Sequence, residues 1–313
     1  MNPDHPLHSL RTGVASFLGL PLLLEPEPVS GVVLGAPFDG GVIHRPGARL
    51  GPWALRNASL GVGRSLLPLR FQGAENPVAS GRAVEGWVDG GNAPTQPFDT
   101  TDALATITAT LSPWIQAGAR ALLLGGDHLM TLGALRAQAA KHGPLGLLVL
   151  DAHPDASNGA LWGTRHHHGT WVRAALEEGL LDPHRTVQIG LRAPRRDGSE
   201  IRFLQESGVR LWTPWDLKDP RLSSQLQGDI ARVGQGPAYI SIDLDALDPA
   251  FCPAVAEPVP GGLSVMRTIS LLQHVHLWSV PWVGADVMEL AATVPGAEET
   301  ARVAVHLALH LLT

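Results

Sequence analysis

Cysteine is almost absent from this chain of 313 residues: Cys252 is the only one. A single thiol cannot close an internal disulfide, and nothing else in the chain asks for an oxidising compartment, so a cytoplasmic location is expected. Charge is scarce as well, at 17% of residues, and mildly acidic in balance, with 29 Asp and Glu against 23 Lys and Arg. No basic cluster exceeds the pair Arg195-Arg196, which leaves no electrostatic footprint for nucleic acid. Long apolar runs are missing too. The longest near the N-terminus, Val14 to Leu24, is broken by Pro21, is far short of a bilayer span, and has only Arg11 as a cationic flank. It reads as neither signal peptide nor membrane anchor. There is no internal repeat, low-complexity tract or Ser-rich linker. One folded unit over 1–313 is therefore expected, with 1–28 as an N-terminal extension of unassigned structure.

What is present is a 44% hydrophobic fraction, the profile of a chain that buries a large core. From Val32 onward, short apolar runs recur with amphipathic stretches between them, which is the α/β signature. Strands are predicted at Gly31–Pro37, Ala119–Leu124, Leu145–Leu150, Thr186–Leu191, Val209–Trp212, Ala238–Leu244 and Trp282–Met288. Runs apolar on both faces need cover on both faces, so the sheet is expected to be mostly parallel. Helices are predicted over Thr101–Ala117, Leu129–His142, Thr170–Glu178, Ser199–Glu206, Val265–His274 and Ala297–Leu312. Proline and glycine concentrate in loops such as Arg45 to Arg49 and Pro258 to Gly262.

Three strand ends carry polar residues out of proportion to their surroundings. Gly125-Gly126-Asp127-His128 follows one run, Asp151-Ala152-His153-Pro154-Asp155 follows a second, and Asp243-Leu244-Asp245 lies in a third. The carboxyl ends of adjacent parallel strands converge on the crevice where ligands bind, so the three motifs can share one site. Carboxylates in apolar strands are costly to bury unless paired or bound to metal, and few Lys or Arg residues stand beside these. In an extended segment Asp151, His153 and Asp155 point to one side, as do Asp243 and Asp245. With His128 the set is two imidazoles and four carboxylates. Such donors suit a hard to borderline divalent ion such as Mn²⁺, and four carboxylates balance two such ions. A closed structural zinc site is disfavoured, since the only cysteine is remote in sequence.

These residues resemble the ureohydrolases, the family of arginase and agmatinase. The likeness extends to Gly35 to Asp39, Arg45 to Pro52, His168-Gly169-Thr170, Glu177 to Pro183, Gln188 to Arg192 and Asp286-Val287-Met288-Glu289. It covers the chain from about Val32 to the C-terminus, and the segments around Arg45 and Glu177 look most like the agmatinase and guanidino-acid hydrolase branch. The resemblance implies a three-layer α/β/α arginase-like fold and two manganese ions, with hydrolysis of a small guanidino substrate to urea and an amine. It implies that His128, Asp151, Asp155 and Asp243 hold one ion. His153 and Asp245 would hold the other together with bridging Asp151 and Asp243. A hydroxide between the ions would attack the guanidinium carbon, with Asp155 orienting it. His168 matches the family's proton shuttle and Glu289 the carboxylate that pairs with the guanidinium. Family members usually assemble as trimers or hexamers, which implies a homo-oligomer.

The chain also departs from the family pattern. Leu129 replaces a serine, Pro154 stands where Thr, Leu or Phe is common, and Pro253-Ala254-Val255-Ala256-Glu257-Pro258 replaces Pro-Gly-Thr-Gly-Thr-Pro. None removes a ligand, but the last change adds an acidic side chain beside a metal-bearing strand. Agmatine is the first expected substrate, because Glu257 would favour a distal ammonium over a carboxylate. A guanidino acid such as 4-guanidinobutyrate or 3-guanidinopropionate is the nearest rival, with His44 or Arg45 as carboxylate partner. Formiminoglutamate hydrolysis and a catalytically silent, metal-binding relative are the further alternatives. Among the tryptophans, Trp162 is a candidate for the substrate entrance, while Trp53, Trp114 and Trp212 are expected in the core or at a subunit contact.

Overall fold

The computed structural model describes residues 15–62, 84–194, 196–273 and 280–312. The first 14 residues of the expected extension, Arg195, and the expected helix end at His274 lie outside them. Eight strands form one sheet: β1 Gly31–Gly35, β2 Trp87–Asn92, β3 Arg120–Leu124, β4 Leu145–Leu150, β5 Leu181–Ile189, β6 Arg210–Trp212, β7 Ala238–Asp243 and β8 Trp282–Met288. Their order is β2-β1-β3-β8-β7-β4-β5-β6 and every neighbouring pair is parallel.

The helices are α1 Gly51–Ser59, α2 Thr100–Gln116, α3 Met130–His142, α4 Trp171–Glu177, α5 Ser199–Ser207, α6 Ser223–Val233, α7 Val265–Leu272 and α8 Ala297–Leu309. Alternation along the central strands feeds two cores. Leu122 and Leu124 of β3 and Leu148 and Leu150 of β4 join Leu226 and Ile230 of α6, Leu272 of α7 and Val305 of α8. The intervening Leu123, Leu147 and Val149 face Ile107 and Leu111 of α2, Leu135 of α3 and Val172 of α4. A period of two in the strands therefore builds two cores on opposite sides of one sheet, each fully buried Leu contributing about 1.5–3 kcal/mol. The result is the expected three-layer α/β/α arrangement.

The chain builds one flank of the sheet with β1 to β3 and crosses to the other with β4 to β6. It then returns with β7 and β8 to fill the centre. The four central strands, β3, β8, β7 and β4, are those that carry the acidic and imidazole motifs, and the reversal of strand order places their carboxyl ends together.

Three elements go beyond the sequence reading, namely α1, β2 and α6, and β5 begins at Leu181 instead of Thr186. Strand β2 reads Trp-Val-Asp-Gly-Gly-Asn, a turn-like composition, and is held at the sheet edge by tertiary contacts of Asp89. Helix α1 opens on Gly51-Pro52, and α6 contains Gly228 and few apolar residues. Trp114 and Trp212 are buried as expected, whereas Trp53 is 65% exposed and is no part of the core.

Candidate metal centre

The Gly125-Gly126 pair ends β3 where there is no room for side chains. A Cβ on Gly125 would lie 2.7 Å from the Met288 Cα, and one on Gly126 would lie 2.3 Å from the Phe38 carbonyl oxygen. Close approach to β8 and to the segment after β1 therefore requires glycine, and it delivers His128 to a fully buried position.

Around His128 the carboxylates are arranged alike. Asp151 Oδ1 accepts the His153 N–H at 2.6 Å, Asp243 Oδ1 the Asp245 N–H at 2.8 Å, and Asp245 Oδ1 the Ala152 N–H at 3.0 Å. Each carboxylate is thus clamped through one oxygen by the backbone, and its other oxygen turns to an imidazole. Asp151 Oδ2, Asp243 Oδ2 and Asp155 Oδ2 lie 3.2, 3.1 and 3.4 Å from His128 Nδ1. Asp245 Oδ2 lies 2.8 Å from His153 Nδ1, with Asp151 Oδ1 at 3.6 Å. Two overlapping groups result, His128-Asp151-Asp243 and Asp151-His153-Asp245, the ligand atoms of each lying within 4.8 Å of one another. Asp151 belongs to both. Asp243 joins only the first, and Asp155 stands beside His128 without joining either.

The donor set fits a cation better than a proton. One proton on His128 Nδ1 cannot serve three oxygens, and Asp151 Oδ2 is buried without a hydrogen bond. Burial, and then the charges of Asp245 and Asp151, push the Asp243 carboxyl well above its ordinary value. That is the signature of buried negative charge short of positive charge. The far side of the His128 ring points the same way. Ser241 Oγ lies 2.8 Å from His128 Nε2 and donates its proton to Asp286 Oδ1, while Thr131 donates to Asp286 Oδ2 at 2.8 Å. A serine oxygen that donates to Asp286 accepts from Nε2–H. The Nδ1 lone pair is then left facing the carboxylates, as metal-ligating histidines require. Cys252 is buried near Asp243, but burial, and then Asp243, push its thiol up to about 12, so no thiolate enters the set.

His168 and Glu289 sit beside this centre. Glu289 Oε1 accepts the His128 N–H at 2.7 Å and lies 3.1 Å from His168 Nδ1, while Glu289 Oε2 is buried without a partner. Burial alone lowers the His168 imidazolium, but Glu289, followed by Asp155 and Asp127, raises it to about 9. Asp127, which accepts the Gly41 N–H, is raised to about 7 by burial and then by Glu289. His167 and His168 are buried, and His167 caps the turn by accepting the Gly169 N–H. Burial, and then His168, lower His167 to about 4, so it stays neutral.

Of the three non-glycine residues with positive φ among the described residues, two are here, Asp155 at 46° and Glu289 at 68°; the third is Leu18. Left-handed backbone costs an L-residue about 1–2 kcal/mol, and such strain gathers at functional sites. Farther out, His44 Nδ1 stands 3.8 Å from Glu257 Oε2, and Trp162 is 54% exposed.

The structure thus brings together all eight expected site residues. Sequence reasoning gave no role to Ser241, Asp286, Asp127 or Trp171. Asp286 was within reach of the argument already used, as a carboxylate inside an apolar strand; nothing in the sequence pointed to Trp171.

A parallel α/β sheet with a shared-carboxylate His/Asp cluster at its carboxyl edge defines an α/β protein with a candidate metal centre. Residues 30–313 match the Arginase family, and the chain belongs to it. It is 38% identical to proclavaminate amidinohydrolase of Streptomyces clavuligerus, over 89% of this chain and 85% of that one. A solved structure of that enzyme superposes with a TM-score of 0.84 at 36% identity, covering 96% of both chains. Guanidinopropionase of Pseudomonas aeruginosa is 34% identical, over 96% and 91% of the two chains. Mitochondrial agmatinase of Gallus gallus is 32% identical, over 96% and 85%.

Proposed function

We propose that this chain is a binuclear manganese amidinohydrolase that cleaves a linear guanidino compound, agmatine first, to urea and an amine. The observation that carries the reading is Asp151 shared between two donor groups, with the unpartnered Glu289 Oε2 beside them. His128, Asp151, Asp155 and Asp243 would hold one ion, and His153 and Asp245 the other, with Asp151 and Asp243 common to both. Two divalent cations held there supply hydroxide near neutral pH.

The remaining chemistry belongs to the chain. Glu289, anchored through Oε1 by the His128 N–H, offers Oε2 to the guanidinium and fixes its carbon over the centre. Asp155 orients the nucleophile by hydrogen bonding. His168, raised to about 9, carries a proton at neutral pH and delivers it to the departing amine, without which the tetrahedral intermediate returns to substrate. Likeness to guanidinopropionase, with His44 beside Glu257 as a partner for a carboxylate, favours a guanidino acid as the second reading.

The test is urea release by manganese-loaded protein from arginine, agmatine, 3-guanidinopropionate and 4-guanidinobutyrate, with Asp243→Ala as control. Turnover of agmatine above the others, lost in the control, supports the reading. Preference for an acid moves it to the second, and silence across the panel rejects both. The reading carries with it a single catalytic domain, a cytoplasmic location and a homo-oligomer, trimer or hexamer. Exposed Trp53, Trp215 and Met266 are suited to subunit contacts, and sedimentation would measure the assembly. Among the described residues no helix is long and apolar enough to cross a membrane.

A further inference from the structure

Asp155 is held differently from the other carboxylates of the centre. Asp151, Asp243 and Asp245 each receive a backbone N–H on Oδ1. Asp155 receives none. Apart from its approach to His128 Nδ1, its carboxylate has one hydrogen bond among the described residues, from the indole Nε1–H of Trp171 to Oδ2 at 2.8 Å. Trp171 is fully buried, and its ring lies against the His128 imidazole with centroids 4.7 Å apart and planes tilted by 39°.

One side chain therefore touches two residues of the centre, by a hydrogen bond to Asp155 and by packing on His128. The backbone reinforces the contact. Trp171 is the first residue of α4, and the next two N–H groups of that helix, of Val172 and Arg173, turn to the Asp155 carbonyl oxygen at 3.1 and 3.4 Å. The first turn of α4 grips Asp155 through both its main chain and its carboxylate, which explains how a non-glycine residue is kept at φ 46°. His168 belongs to the turn that leads directly into α4, so the same short segment places both Asp155 and His168.

We propose that Trp171 is a positioning residue that sets the Asp155 carboxylate and thereby the affinity of the cation site on the His128 side. The inference rests on the metal-centre reading above. Freed of the indole, Asp155 has no donor to hold its plane, and a carboxylate that must be ordered on each binding event binds more weakly. Outer partners of metal ligands commonly matter about 10- to 100-fold in affinity.

The experiment is manganese titration of the whole protein, followed by the electron paramagnetic resonance of free Mn²⁺, for wild type and Trp171→Phe. A companion variant carries β-(3-benzothienyl)alanine at 171, which keeps the bicyclic shape and replaces N–H by sulfur. The expected result is two sites in wild type and, in both variants, one site weakened about tenfold or more with the other unchanged, while the metal-free melting temperature of the benzothienyl variant stays at the wild-type value. Unchanged affinities in the benzothienyl variant overturn the proposal. So does equal weakening of both sites with a lowered melting temperature, which marks a purely structural role. Fewer than two sites in wild type would instead overturn the binuclear reading on which it rests.

Discussion

Two sets of buried carboxylates lie along the same sheet, and the chain treats them in opposite ways. At the edge, Asp89 of β2 receives Arg56 Nε on Oδ2 and an Arg56 terminal nitrogen on Oδ1, both at 2.8 Å. The N–H groups of Phe17 and Gly91 complete its shell at 2.7 and 2.9 Å. At the centre, Asp151, Asp155, Asp243 and Asp245 share two imidazoles, and among the described residues no Arg or Lys pairs with any of them. Arg192 is close enough to help but spends its guanidinium on the carbonyls of Asp245, Ala246, Leu247 and Val259, fastening the loop that carries Asp245. A carboxylate matched by the chain is architecture. Carboxylates left unmatched, yet clamped by backbone N–H groups or, for Asp155, by the Trp171 indole, form a candidate place for a cation from outside.

The largest effect should come from the centre. Asp243→Ala is expected to lower urea release more than about 10³-fold, because on the proposed reading it removes a ligand of the ions that would supply hydroxide. Its stability should move the other way: in metal-free protein, loss of one of several crowded carboxylates raises the melting temperature or leaves it unchanged. The edge predicts the reverse pattern. Arg56→Ala strands a buried charge and should cost about 3–5 kcal/mol in denaturant unfolding, while manganese affinity per folded molecule stays at the wild-type value. If Asp243→Ala destabilised the metal-free fold as Arg56→Ala does, the distinction between matched and unmatched carboxylates would collapse.

The same distinction explains what could be read without a structure. Asp151, Asp243 and Asp245 stand in continuous apolar runs with no basic residue near them in sequence, so the conflict between their charge and their burial is visible along one dimension. Strands β3, β4, β7 and β8 were legible as apolar runs, and at the ends of β4 and β7 that conflict marked a site. Asp89 stands in Trp-Val-Asp-Gly-Gly-Asn, and its partner is 33 residues away, so nothing local says that this turn-like stretch is a strand. Trp171 was illegible on similar grounds. Its meaning comes from an indole N–H directed at Asp155, 16 positions earlier, and no periodicity encodes that contact. Glu289 fell between: the resemblance singled it out, but its partner His168 lies 121 positions away and no local pattern shows that contact.

His168 offers the next test, because its cation is the chain's own. Its value in the metal-free fold, about 9, lies above the ordinary value near 6.5, so folding favours the protonated form. The stabilisation is fully present below about pH 6.5 and is lost as pH rises through 9; at neutrality it amounts to about 2–3 kcal/mol. Asp127, raised to about 7, contributes a loss of the same sign that is largely complete near pH 7. Against the pull of burial, the neighbouring carboxylates hold His128 and His153 well above their ordinary value, and burial raises Asp243 likewise, so the His168 part is read as the difference between wild type and a His168 variant. Urea midpoints of metal-free wild type should therefore fall more steeply between pH 7 and 9 than those of His168→Asn. Parallel curves would mean that Glu289 does not hold the imidazolium.

Glu257 is a carboxylate of a third kind, and the smallest effect belongs to it. Among the described residues it has neither an arginine partner nor a backbone N–H donor, and its one ion pair is with His44, at 3.8 Å; it is one-third exposed. Such a group can trade its weak partner for a ligand's ammonium, and an exposed pair of this sort contributes up to about 1 kcal/mol, or roughly fivefold in selectivity. Glu257→Gln should therefore lower kcat/KM for agmatine relative to 4-guanidinobutyrate about fivefold, chiefly through KM, because the contact is equally present in ground and transition states. His44→Ala should shift the ratio the opposite way, since it removes the competitor for Glu257. If both variants shifted the ratio in the same direction, the pair would be acting as one structural unit, and the distal group would have to be recognised elsewhere.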